Sequence, residues 1–187
     1  REEQRRRRES GDPVQLGIGF STYTEICGIA PSQVAAALGL GGAGWEAANV
    51  RMLPSGKVEV VTGTSPHGQG HVTSWSQIAA DALGVSPDDV EASAPWGRDT
   101  YGSRSLPVGG VAVYLAAQKV VEKAKKIAAH MLEAAEGDIE FEGGRFSVRG
   151  SPDRNVTIQQ VAGAAYLGAN LPEGMEPGLS AETFFDP

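Results

Sequence analysis

With 187 residues, 41% hydrophobic and 21% charged, the chain is long enough for one domain with a real core and has the composition of an ordinary globular protein. A net charge of −7 argues against a nucleic-acid binder, because the one basic run, Arg5-Arg6-Arg7-Arg8, is interleaved with Glu2, Glu3 and Glu9. The single cysteine, Cys27, excludes an internal disulfide framework; no apolar run reaches membrane-spanning length and no signal-peptide pattern is visible, so a cytoplasmic protein is expected.

Residues 1–13 read as a linker or polar helix end from a preceding subdomain, closed by Gly11-Asp12-Pro13. From Val14 to Ile26, Leu16, Ile18 and Phe20 alternate with glycines, which predicts a strand. The Gly-rich stretch 30–44 predicts a loop. Trp45 to Leu53 and Val58 to Val61 flank the turn chemistry Pro54-Ser55-Gly56-Lys57 and predict a hairpin. The loop Thr62 to Gly70 leads into a helix with Val72, Trp75, Ala79 and Ala82 on its apolar side and Gly84 at its stop.

Ser86-Pro87-Asp88-Asp89 predicts a short capped turn, and 91–105 an irregular segment. A long helix is expected from Pro107 to Glu136, burying Val113, Ala117, Val120, Ala124, Ile127, Ala128 and Met131. Gly143-Gly144 between Ile139–Glu142 and Arg145–Val148 predicts a second hairpin. Thr157-Ile158-Gln159-Gln160 reads as a capping box opening a helix through Tyr166, and 168–180 as a loop. The chain opens without Met and a strand is under way at Phe184-Phe185, so both ends are expected to continue. Hairpins mixed with helices in this order predict an α+β fold of mixed sheet hairpins with packed helices, rather than a doubly wound parallel sheet.

Two helix starts carry the chemistry. The first is Gly63-Thr64-Ser65-Pro66-His67-Gly68-Gln69-Gly70-His71, between a strand and a helix. Its glycines admit a ligand close to the backbone, and the free N–H groups of the helix favour an anion. The second is Tyr101-Gly102-Ser103-Arg104-Ser105-Leu106-Pro107, where two hydroxyls and a guanidinium suit phosphate. Neither the Walker pattern nor the dinucleotide fingerprint is present. His67 and His71 have zincin spacing, but the intervening Gly-Gln-Gly is a poor helix without glutamate. No convincing Ser-His-Asp set exists. No catalytic residue and no metal ligand is assigned.

These loops, with Ile127-Ala128-Ala129-His130-Met131-Leu132-Glu133 and Glu173-Gly174-Met175-Glu176-Pro177-Gly178-Leu179, closely resemble the molybdenum-binding region of the xanthine dehydrogenase and aldehyde oxidase family. The resemblance runs from Gly17 to Pro187, is nearest to aerobic carbon monoxide dehydrogenase large subunits, and makes 14–187 part of a molybdenum-cofactor-binding domain. It implies that Gly68, Gln69, Gly70 and His71, together with Ser103, Arg104 and Ser105, contact a molybdopterin cofactor, in its cytosine dinucleotide form and carrying molybdenum in the full-length protein. It also implies hydroxylation of a small-molecule substrate or oxidation of carbon monoxide, with electrons leaving through iron–sulfur and flavin subunits or domains.

Two departures stand beside the resemblance. Cys27 does not match the family's copper-binding cysteine, which would lie upstream, and the base glutamate would lie downstream. The segment 91–99 is several residues shorter than in relatives. A fragment inactive by itself is the first expectation, and a divergent module of the same fold that binds no molybdenum is the alternative.

Overall fold

The computed structural model describes residues 1–25, 27–41 and 44–187. The expected strand end at Ile26 and the loop positions Gly42 and Ala43 lie outside the described residues. Helix α1 (Glu2–Glu9) buries no residue; Glu3 pairs with Arg6 and Arg7 one turn on, so the arginine run is a solvated face. Glu3 stays below the usual carboxylate range because both guanidinium groups bond to it. Residues 14–25 do not form the expected strand. Val14, Leu16, Ile18 and Phe20 are exposed, and no ladder pairs with them among the described residues. The expected loop at 30–44 contains a short helix, α2 (Ser32–Ala37).

The hairpin forms as its alternation requires. β1 (Glu46–Met52) and β2 (Val58–Thr62) pair antiparallel with Val50 opposite Val60. Ala48, Val50 and Met52, with Val58 and Val60, share the buried face. Gly56, at a φ of +85°, closes the turn by donating to the Leu53 carbonyl at 2.9 Å. Helix α3 (His71–Leu83) then crosses back to β3 (Val90–Ser93), which lies parallel to β2. All of this strand but Val90 falls inside the segment 91–105 expected to be irregular. The α3 face in the core is Trp75, Ser76, Ala79, Ala80 and Leu83; Val72 is exposed, contrary to its place in the expected apolar side. Gly84 ends α3 in the left-handed conformation.

The long helix divides in two. Ser105–Gly110 is a π-helical turn, and α4 (Val111–Met131) follows it. Val113, Ala117, Val120, Ala124, Ile127 and Ala128 are buried as the periodicity requires. Helix α4 stops at Met131, five residues short of Glu136, and Glu133 adopts a φ of +48°.

β4 (Ile139–Glu142) and β5 (Arg145–Val148) form the second hairpin, and β6 (Ser151–Thr157) adds an edge that sequence reading missed. Helix α5 (Ile158–Leu167) opens on the expected capping box: the Gln160 N–H donates to Thr157 Oγ1 and the Thr157 N–H to Gln160 Oε1. β7 (Ser180–Phe185) pairs antiparallel with β1. The result is an α+β fold with a four-stranded mixed sheet, β3-β2-β1-β7, and a three-stranded antiparallel sheet, β4-β5-β6. Helix α4 packs against the sheet, α3 and α5, and α3 against β3, around one core. No described helix is long and apolar enough to cross a membrane.

Candidate functional site

The β2-to-α3 connection turns at Gly68 and Gly70, which have φ of +95° and +86°. Open space surrounds the position a Cβ would take at either glycine. No side chain caps α3. Its first intrahelical bond runs from the Ser74 N–H to the Gly70 carbonyl, so the N–H groups of residues 71–73 precede the hydrogen-bonded ladder. Gln69 folds onto its own loop: its Oε1 accepts from the His67 N–H, and its Nε2 donates to the Ser65 carbonyl at 3.2 Å. His71 is 8% exposed and its Nδ1 lies 3.1 Å from that same carbonyl. The Gln69 amide nitrogen stands 3.3 Å from the same ring nitrogen, so His71 is tied to the loop at Nδ1.

The second loop is tied to the first. Thr100 Oγ1 also donates to the Ser65 carbonyl, at 2.8 Å, and the Ser105 hydroxyl donates to Thr100 Oγ1 at 3.4 Å. The Asp99 N–H donates to the Gly63 carbonyl. Asp99 is held below its ordinary value by the Thr100 backbone N–H first, then by the Ser65 hydroxyl, with a smaller contribution from His67. Ser103 sits at a φ of +53°, rare for a residue with a side chain, and its hydroxyl donates to Glu25 at 2.7 Å.

His71, Ser74, Trp75, Ser103, Ser105 and Leu106 line one cavity of about 280 Å³, so the two helix starts meet. Trp75 is 2% exposed and its indole N–H has no hydrogen-bond partner among the described residues. At the second start the first bonds are from the Val108 and Gly109 N–H groups to the Arg104 carbonyl. The N–H groups of Ser105 and Leu106 therefore precede them, and Pro107 has none. No side chain caps this start.

Arg104 is placed differently from the other residues singled out by sequence. Its side chain is fully buried and its Nη1 meets Glu46 Oε2 at 2.7 Å, with Glu46 equally buried. Nη1 also donates to the Asp99 carbonyl at 3.0 Å, and Nη2 to the Gly44 and Trp45 carbonyls at 3.2 and 2.6 Å. The guanidinium is thus committed to the interior and does not face the cavity as a phosphate clamp would. Tyr101 lies over it, 5.2 Å from ring centroid to Cζ. Glu46 accepts in addition from the Ala47 N–H at 2.9 Å and the Arg98 N–H at 3.3 Å. Sequence reading saw Glu46 only as a strand residue; 58 positions separate it from Arg104, and no local pattern links them.

The short 91–99 segment is firmly built. After β3, Gly97 packs directly on Gly63, and the Arg98 and Asp99 N–H groups are both satisfied from the β1–β2 side. Cys27 is exposed.

Comparison with known proteins adds to this geometry. A sequence model of a family described as the molybdopterin cofactor-binding domain matches residues 1–187. The carbon monoxide dehydrogenase large chain of Hydrogenophaga pseudoflava is 41% identical over 192 residues, covering 100% of this chain and 23% of that one. The nicotine 6-hydroxylase large subunit of Paenarthrobacter nicotinovorans is 35% identical over 178 residues, covering 91% of this chain and 22% of the other. Among solved structures, Cu,Mo-CO dehydrogenase in its carbon monoxide reduced state aligns with a TM-score of 0.81 at 40% identity, across 100% of this chain and 24% of that one. Quinoline 2-oxidoreductase from Pseudomonas putida 86 aligns at 0.76 and 36% identity, over 100% and 24%. The chain spans about a quarter of the length of the proteins it matches.

Proposed function

The chain belongs to the molybdopterin cofactor-binding domain family, and from that premise we propose that it is the cofactor-cradling portion of a molybdenum-dependent oxidoreductase large subunit. One observation carries the reading: two helix starts without side-chain caps open onto a single cavity and are joined through the Ser65 carbonyl. The residues present fit a phosphate-bearing cofactor. Free backbone N–H groups and the Ser105 hydroxyl supply donors, and the open space beside Gly68 and Gly70 admits a bulky group.

Gly68, Gln69, Gly70 and His71 hold the cofactor from the α3 side, and Ser103 and Ser105 from the α4 side. Arg104 holds the second loop in place through Glu46 rather than binding phosphate. When bound, the cofactor, in its cytosine dinucleotide form, supplies a molybdenum centre for two-electron oxidation with oxygen from water. The chain's own part is to bind and orient it. His71, tied to the loop at Nδ1 by the Ser65 carbonyl, offers its remaining ring nitrogen toward the cavity side.

The relatives, carbon monoxide dehydrogenase, nicotine 6-hydroxylase and quinoline 2-oxidoreductase, support a small-molecule substrate. Iron–sulfur and flavin subunits or domains as electron acceptors and a cytoplasmic location complete the proposal. So does the division of 1–13, whose helix buries nothing, from 14–187. The test is molybdenum and pterin analysis of the protein purified from its complete gene. Near-stoichiometric amounts of both support the reading; absence of both supports the module of the same fold that binds no molybdenum.

A further inference from the structure

We propose that the buried Glu46–Arg104 ion pair is a positioning device for the cavity: it fixes the 97–105 loop to β1 so that Ser103 and Ser105 face the α3 helix start, and neither charged side chain touches the ligand. The proposal rests on the cofactor reading above.

The pair ties the loop that carries two cavity-lining serines to the start of β1. Arg104 lies between Ser103 and Ser105, both of which line the cavity, while its own side chain points into the interior and is fully buried. It bonds to Glu46 at the start of β1, and to carbonyls at residues 44, 45 and 99. Glu46 in turn accepts from Arg98, so both flanks of the loop are tied to one carboxylate. The glycines at 63 and 97 leave the room this carboxylate needs, since a Cβ at either would run into it.

The loop it holds is not in a relaxed conformation. Asp99 and Ser103 have φ of +70° and +53°, and such backbone persists only where its surroundings over-determine it. A fold that needed only stability would not require a charge here, because a well-packed apolar pair of similar volume is often as stable as a buried ion pair. The charge pair supplies directional anchoring, which an apolar pair lacks.

That contrast gives the test. In the full-length subunit, the double variant Glu46→Leu/Arg104→Met removes both charges together, and Arg104→Lys keeps the charge but loses the planar fork. Each is compared with wild type in thermal unfolding and in pterin retained after gel filtration. The expected result is that every variant that folds unfolds cooperatively and retains roughly tenfold less pterin. A folded variant that retains pterin at the wild-type level overturns the proposal. So does failure of both variants to fold, which makes the pair a fold determinant only. If the wild-type protein itself holds no pterin, the cofactor reading fails instead, and the two failures are told apart by that control.

Discussion

Gly63, just past β2, and Gly97, in the segment after β3, pack backbone against backbone: a Cβ added to either would overlap the other's Cα, and the Glu46 carboxylate fills the space beside both. Gly63→Ala therefore forces the 97–105 loop away from β2 as well as displacing Glu46. The expected loss is about 3 kcal/mol, at the upper end for overpacking. Denaturant unfolding measures it, and a loss below about 1 kcal/mol would show that the contact yields easily.

Gly70 contrasts with Gly63, because nothing stands where its Cβ would go. Gly70→Ala meets only the cost of a φ of +86°, about 1–2 kcal/mol. The methyl group enters the space proposed for the cofactor. The expected outcome is a folded protein with pterin content reduced several-fold, read by fluorescence of the released pterin; full retention would remove Gly70 from the contact surface.

Glu25 puts a carboxylate on the Ser103 hydroxyl, where a phosphate would compete with it. Glu25→Gln removes that exposed charge. Affinity for inorganic pyrophosphate, followed by calorimetry, is expected to rise about fivefold, equivalent to ~1 kcal/mol for two charges near 4 Å in water. An unchanged affinity would place the anion away from Ser103.

The depressed Asp99 carboxyl gives a pH signature. Its folded value lies below the ordinary 3.8, so its stabilisation is complete above the unfolded value and is lost as pH falls through the folded one. Asp99→Asn keeps a side chain that tolerates the positive φ. Its stability deficit relative to wild type is expected near neutral pH and should close in the strongly acid range, as measured by unfolding at stepped pH. A deficit constant down to pH 2 contradicts the assignment.

Away from the cavity, Thr157→Ala breaks the reciprocal capping bonds of α5. It should cost about 1 kcal/mol without changing pterin content. A larger loss would mean that α5 does more for the core than its cap indicates.

The elements most legible in the sequence are those fixed by local chemistry. Gly143-Gly144 closes the second hairpin, Thr157 and Gln160 cap α5, and the Val113-to-Ala128 spacing gives the buried face of α4. β6 escaped because Pro152, Asp153, Arg154 and Asn155 are poor strand formers, tolerated on an exposed edge. The segment 14–25 misled in the opposite way. Its apolar alternation reports what a strand needs, but pairing depends on a neighbour, and its apolar residues stand exposed. Both cavity loops were legible from glycines at helix starts. The burial of Arg104 against Glu46 was not, because the two stand 58 positions apart and no local pattern links them.

The Ser65 oxygen shared by Gln69, His71 and Thr100 belongs to the main chain, so any amino acid at position 65 would provide it. Evolutionary freedom is therefore unequal around this junction. Position 65 can drift without uncoupling the two loops, whereas 69, 71 and 100 must each keep a donor of suitable reach. Across homologues, interdependence is to be sought among those three positions, with residue 65 as a silent centre.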